Sequence, residues 1–140
     1  MRRVVLCLPD GAPRVDPSPA ETETREVELT FSWDGSPVGV VGFAEGGMSA
    51  LELATGHSDL VDRLVLVATP VPDSSTFEAS ALTTKVLLLY GSRDGGSAEA
   101  RWWKKAVGGR IEMVPGEGRD ILERVWPRVL SHVAPGALRK

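Results

Sequence analysis

Val38-Gly39-Val40-Val41-Gly42-Phe43-Ala44-Glu45-Gly46-Gly47-Met48-Ser49-Ala50-Leu51-Glu52-Leu53-Ala54 is the stretch that decides the fold of this chain. The apolar run Val38 to Val41 predicts a short buried strand, and Met48 to Ala54 predicts the helix that follows it. Glycines 42 and 46 bracket the junction, where the absence of a side chain lets the backbone swing sharply from strand into helix. The residue midway between them then stands exposed over the end of the sheet. That residue is Ala44.

Working outward, Val4 to Leu8 is a continuous apolar run and predicts a central parallel strand. Gly11 to Thr24 is rich in Pro, Ala, Glu and Thr without an apolar period, and reads as a loop. Val27, Leu29, Phe31 and Trp33 alternate with polar residues, the period of a half-buried strand. Leu64 to Ala68, Val86 to Tyr90 and Ile111 to Val114 predict further strands, with Pro70 to Ala81 a polar connection after the first of them. Ser97 to Val107 predicts a helix with Ser97 as N-cap, Glu99 in its first turn and Gly108-Gly109 at its end. Ile121 to Val133 carries the helical stripe Leu122, Val125, Val129 and Val133, with Pro127 implying a kink or a helix start near Trp126. Ala134 to Lys140 reads as a frayed end. Strands alternating with helices predict an α/β fold, a mostly parallel five- or six-stranded sheet flanked by helices. A parallel sheet needs both faces covered, and so few helices make a homodimer the expected assembly. Trp102 and Trp103 must point to different sides of their helix, one into the core and one outward as a candidate interface anchor.

Pro37 to Ala54, continuing through Leu60-Val61-Asp62-Arg63-Leu64-Val65-Leu66-Val67-Ala68-Thr69, resembles the α/β-hydrolase superfamily, whose G-x-S-x-G motif forms a nucleophile elbow. Val86 to Asp94 resembles the strand and loop that deliver the triad acid, and Asp94 matches that acid. Ile111 to Asp120 resembles the last strand and the loop carrying the catalytic His, and Arg119 stands at the His position. The order nucleophile, acid, base is that of the superfamily, and the likeness covers roughly the last three quarters of the chain. It implies a single minimal domain over residues 1–140, truncated and lidless, with a degenerate triad at Ala44, Asp94 and Arg119. It also implies an oxyanion hole from the backbone N–H of Glu45 and one from Gly11 or Asp10.

The departures bear on chemistry. A methyl group cannot attack a carbonyl, and the Arg119 guanidinium stays protonated and cannot serve as base. His57 and His132, the two histidines, fall away from the C-terminal ends of strands, where such sites assemble. Glu45 should point away from the pocket, Ser49 should face the sheet or a helix, and Ser92 reads as a turn residue. Cys7, within a buried strand, reads as an inert small hydrophobe. The expected function is therefore that of a catalytically inactive homologue acting by ligand or protein binding. One alternative is a weak or unconventional esterase, since an oxyanion hole and binding alone leave about 10³–10⁴-fold catalysis over water. Another is a nucleotide-binding protein built on Gly42-x-Ala44-x-x-Gly47, although the acid expected at the end of the next strand is replaced by Ala68-Thr69-Pro70.

Composition narrows the partners. A chain of 140 residues supports one domain. A net charge of −3 and the lack of a basic run argue against nucleic acid. No apolar run approaches the ~20 residues of a membrane span. Met1-Arg2-Arg3-Val4-Val5-Leu6-Cys7-Leu8-Pro9 is too short in its apolar part for a signal peptide. One cysteine allows no internal disulfide and fits the cytoplasm. No cofactor or metal is expected, and a small apolar ligand is the expected small-molecule partner.

Overall fold

A computed structural model of the protein describes residues 4–7, 13–15, 38–72, 84–93, 95–118 and 120–133. Among them run β1 (Val4–Cys7), β2 (Pro13–Val15), β3 (Val38–Phe43), α1 (Gly46–Gly56), β4 (Val61–Val67), β5 (Lys85–Gly91), α2 (Gly96–Val107), β6 (Arg110–Val114) and α3 (Leu122–Val133). The strands form one six-stranded sheet in the order β2-β1-β3-β4-β5-β6. Five of these strands are parallel, and β2 pairs antiparallel with β1 at the edge, Leu6 opposite Arg14. The α/β architecture expected from the sequence is therefore the one observed.

The two sheet faces carry separate cores. Alternate strand residues Leu6, Val41, Val65, Val67, Leu87 and Leu89 pack under α3 through Val125, Trp126, Val129 and Val133. The intervening residues Val5, Cys7, Val40, Leu66, Leu88 and Tyr90 pack under α1 and α2 through Ala50, Leu51, Ala54, Ala100 and Trp103. Side chains alternate between the faces of a strand. A strand covered on both faces therefore reads as an unbroken apolar run, which is why β1, β4 and β5 were legible in sequence.

Four local readings are corrected. A three-residue strand, β2, lies inside Gly11–Thr24, which sequence assigns to a loop; Pro13 can join only an edge strand, having no N–H to donate. The N-cap of α2 is Gly95, in the left-handed conformation with φ 76°, and Ser97 lies inside the helix. There Ser97 Oγ accepts a hydrogen bond from Arg101 at 2.9 Å. Helix α1 starts at Gly46, two residues before the predicted Met48. Helix α3 spans Leu122–Val133, as the stripe over Ile121 to Val133 predicts, and of the two readings of Pro127 the helix start near Trp126 falls, because the helix runs through it. As expected, Gly108 ends α2, and the tryptophans divide: Trp103 is fully buried while Trp102 is 37% exposed and meets it edge-on at 5.0 Å. The predicted strand Val27–Trp33 and the frayed end 134–140 lie outside the described residues.

Candidate functional site at the carboxyl edge of the sheet

The junction of β3 and α1 has the shape that the sequence predicts. Ala44 has φ 50°, in the left-handed region, where an L side chain costs roughly 1–2 kcal/mol. Two backbone hydrogen bonds hold it there: its N–H donates to the Val67 carbonyl at 2.8 Å, and its own carbonyl accepts from Gly47 N–H at 3.0 Å. The turn also demands close approach. A Cβ at Gly42 would stand 2.5 Å from Gly47 Cα and 2.9 Å from Ala50 Cβ, so only glycine fits there. Ala44 is half-buried, and Glu45 is exposed.

Glu45 occupies the N-cap of α1 with φ −63° and ψ −20°, but its side chain caps nothing. Among the described residues, the N–H groups of Glu45 and Gly46 find no backbone acceptor. Among the described residues the helix start thus has donors without a backbone acceptor at its positive end. Glu45 therefore brings only the proximity of its charge to the helix start.

The neighbouring strand β4 ends in a second left-handed alanine, Ala68, with φ 50°. Its N–H donates to the Leu89 carbonyl at 3.0 Å. Thr69 follows, fully buried. Its carbonyl accepts from Tyr90 Oη at 2.5 Å and from Trp103 Nε1 at 3.0 Å, which ties β4 to β5 and α2. Its side chain abuts the first turn of α1: a Cβ at Gly47 would overlap Thr69 Oγ1 and Cγ2 and lie 2.8 Å from Thr69 Cβ. Thr69 Oγ1 has no hydrogen-bond partner. An unpaired buried hydroxyl costs about 1–3 kcal/mol. Sequence reading passed over Thr69, treating it as the end of a strand. The only local signal was a polar residue between a buried apolar run and Pro70.

The loops after β5 and β6, at the same edge of the sheet, are stitched together. Ser92 N–H donates to the Val114 carbonyl at 3.1 Å and Arg93 N–H to the Glu117 carbonyl at 2.9 Å. Gly116 N–H donates to Ser92 Oγ at 2.8 Å, so Ser92 is a turn residue as expected. Asp94 and Arg119, the acid and base positions of the resemblance, lie outside the described residues, as do Asp10 and Gly11.

The remaining candidates stand apart. Cys7 is buried in β1, and burial pushes its thiol pKa up to about 12, which leaves no thiolate to react. Ser49 is half-buried on α1. His57 follows α1 and leads into β4, and His132 Nε2 lies 3.1 Å from the Lys85 carbonyl at the start of β5. Both therefore sit at the opposite edge of the sheet from Ala44. Burial holds the His132 pKa below its ordinary value. Among the described residues, no group of His, Cys, Asp or Glu could hold a metal ion, and no helix is long and apolar enough to cross a membrane.

No family model matches the chain, and no curated protein matches it in sequence. Solved structures do. The chain is similar to a CIB-like hydrolase from Thermoplasma acidophilum, with TM-score 0.57, 22% identity, and coverage of 68% of this chain and 50% of that one. It is similar to a carboxylesterase from Bacillus subtilis, with TM-score 0.52, 13% identity, and coverage of 73% and 61%. It is also similar to Est1E from Butyrivibrio proteoclasticus, with TM-score 0.54, 15% identity, and coverage of 67% and 58%. The shared feature is the fold: this chain has the α/β-hydrolase fold. It spans between half and about three fifths of the length of these three proteins.

Proposed function

We propose that this chain is an α/β-hydrolase homologue that uses the hydrolase frame to bind a ligand and does not perform acyl transfer. The observation that carries the reading is Ala44. It stands at the apex of a turn shaped like a nucleophile elbow, at φ 50°, and presents a methyl group. In the Ser-His-Asp scheme a serine oxygen attacks, a histidine carries its proton and an acid orients the histidine. In the sequence, Asp94 matches the acid of the superfamily and Arg119, a fixed cation, stands where the superfamily has its base. No proton can be relayed through a guanidinium that never gives one up. What the frame retains is binding geometry: N–H donors at the start of α1, an apolar wall from the Ala44 methyl, and two loops locked together by the bonds of Ser92 and Arg93.

The test is a serine-directed fluorophosphonate together with a small activated ester. The wild type is expected to remain unlabelled and to show no burst of product. A labelled wild type, or turnover beyond what a hole and binding alone supply (about 10³–10⁴-fold over water), refutes the reading and points to Ser49, Ser92 or Cys7. A second reading, slow ester hydrolysis without a triad, draws on the same Glu45 and Gly46 donors. It requires a residual rate that survives Asp94→Asn.

A further inference from the structure

We propose that two copies of this chain associate through β6, pairing antiparallel about a two-fold axis at Ile111, so that the sheet continues from one copy into the other. The inference is independent of what the Ala44 site binds.

The two edges of the sheet differ. Strand β2 has three residues and contains Pro13, and a short edge that carries proline resists pairing with another chain. Strand β6 has five residues, Arg110–Val114, and no proline. Among the described residues it pairs with β5 on one side and with nothing on the other. The Val114 carbonyl accepts from Ser92 N–H at 3.1 Å and so faces the β5 side. Backbone direction alternates along a strand. Arg110 and Glu112 therefore share that side, while the N–H and C=O groups of Ile111 and Met113 point out from the edge. The Ile111 and Met113 side chains are half-buried against the core under α1 and α2. An open edge of this kind is a template for another strand.

The charges select the occupant and the register. Arg110 and Glu112 lie on the α3 face of β6, where Glu112 accepts two hydrogen bonds from Arg128 at 2.6 and 2.9 Å. The Arg110 side chain is 78% exposed and comes no nearer to Glu112 than 3.9 Å. Opposite charges two positions apart on one face make a strand complementary to its own reverse. With Ile111 opposite the partner's Ile111, each Arg110 stands opposite the partner's Glu112, twice by symmetry. The two Ile111 residues then exchange both of their backbone hydrogen bonds. Moving the axis to Glu112 would set two carboxylates opposite each other, which disfavours pairing. A slip of one residue would put each side chain opposite one from the wrong face. A second copy of this chain is thus the partner that the edge fits.

The experiment measures molar mass by sedimentation over a concentration series. One strand pair is a small interface, so the wild type should dimerise with a Kd in roughly the micromolar range. Arg110→Glu and Glu112→Arg should each weaken the dimer about tenfold or more, since each turns two attractive pairs into repulsive ones. An equimolar mixture of these two variants should dimerise as the wild type does, because each copy then supplies the charge that the other lacks. Cross-linking needs neither charge variant. Residues of a hydrogen-bonded pair stand about 5.5 Å apart between Cα atoms, within reach of a disulfide. Ile111→Cys should therefore form a linked dimer on mild oxidation, faster than Glu112→Cys, with Cys7 buried and out of reach. A wild type that stays monomeric up to about 1 mM, a mixture no tighter than its components, or faster linkage through Glu112→Cys would each overturn the proposal. Slow exchange of the Ile111 and Met113 amides in a monomer would also overturn it, by showing that the edge is covered within one chain.

Discussion

Replacing Ala44 with glycine tests whether the elbow is strained, and the sign of the effect is unusual. At φ 50° the alanine sits where an L side chain is disfavoured, and removing Cβ recovers roughly 1–2 kcal/mol. Two losses oppose that gain. Glycine widens the unfolded ensemble, at about 0.4–1 kcal/mol. Half of a methyl's burial, about 0.4 kcal/mol, is also given up. The balance lies between a loss of about 0.4 and a gain of about 1.2 kcal/mol. In a domain of this size that amounts to a Tm change between roughly −2 and +6 °C.

Two further alanines calibrate the experiment within the same fold. Ala50 is fully buried inside α1. Its replacement by glycine forfeits about 1 kcal/mol of helix preference and about 1 kcal/mol of methyl burial. Ala68 shares the left-handed φ 50° but is buried, so its gain is offset by a whole methyl. Thermal melts followed by circular dichroism should therefore rank Ala44→Gly highest, Ala68→Gly next and Ala50→Gly lowest. If Ala44→Gly falls as far as Ala50→Gly, the turn is relaxed and the argument from strain fails.

Four other outcomes follow from the same residues. Gly47→Ala should destabilise by about 2 kcal/mol or more through overlap with the Thr69 side chain, and adding Thr69→Ala should recover part of the loss in denaturant titrations. Tyr90→Phe and Trp103→Phe each remove one donor from the Thr69 carbonyl. Tyr90→Phe should cost about 1 kcal/mol and Trp103→Phe more, because it also leaves a cavity in the core; together they should cost more than the sum, because only the double variant takes both donors from that carbonyl. Among the described residues, two groups contribute to the acid limb of stability. His132 is held below its ordinary 6.5 chiefly by burial, and Glu112 below 4.5 chiefly by the Arg128 hydrogen bond. Both pKa values are depressed on folding, so stability should be full at neutral pH, begin to fall near 6.5, and fall again below 4.5. Melts across pH should show the first step vanish in His132→Gln; the Glu112–Arg128 contribution, being partly exposed, should not exceed about 1 kcal/mol. Finally, Ala44→Ser with Arg119→His should hydrolyse an activated ester far faster than either single variant, since triad members act as a unit; a folded but inert double variant would show that more than these two positions has been lost.

Sequence revealed what short-range chemistry encodes. The β3–α1 turn was legible because Gly42 and Gly46 bracket it between an apolar run and a helical one. Buried strands were legible because residues on both faces are apolar. What escaped depends on partners far along the chain. Thr69 is bonded by residues 21 and 34 positions away, and nothing in Ala68-Thr69-Pro70 announces a carbonyl with two donors or a hydroxyl with none. Strand β2 was hidden because Pro13-Arg14-Val15 has neither apolar alternation nor length, and its strand state comes from β1 alongside. Serine at 97 drew the N-cap assignment by residue preference, but the left-handed Gly95 lets α2 begin earlier.

The bonds around Ala44 show what holds this turn in shape. Among the described residues, the turn is fixed by backbone and by neighbours: the N–H to Val67, the carbonyl to Gly47, and the close approach of Gly42 to the first turn of α1. None uses the side chain at position 44. A serine there would meet the same constraints and the same left-handed strain, so the shape of the turn does not depend on which of the two small side chains it carries. The same separation extends to the second left-handed alanine. Ala68 is held by its bond to Leu89, and Thr69 by Tyr90 and Trp103. These two adjacent strand ends are therefore set by the sheet and α2, independently of any reacting group. A turn whose shape is set by the scaffold keeps its geometry whatever small side chain stands at position 44, which is the condition that the proposed binding role requires.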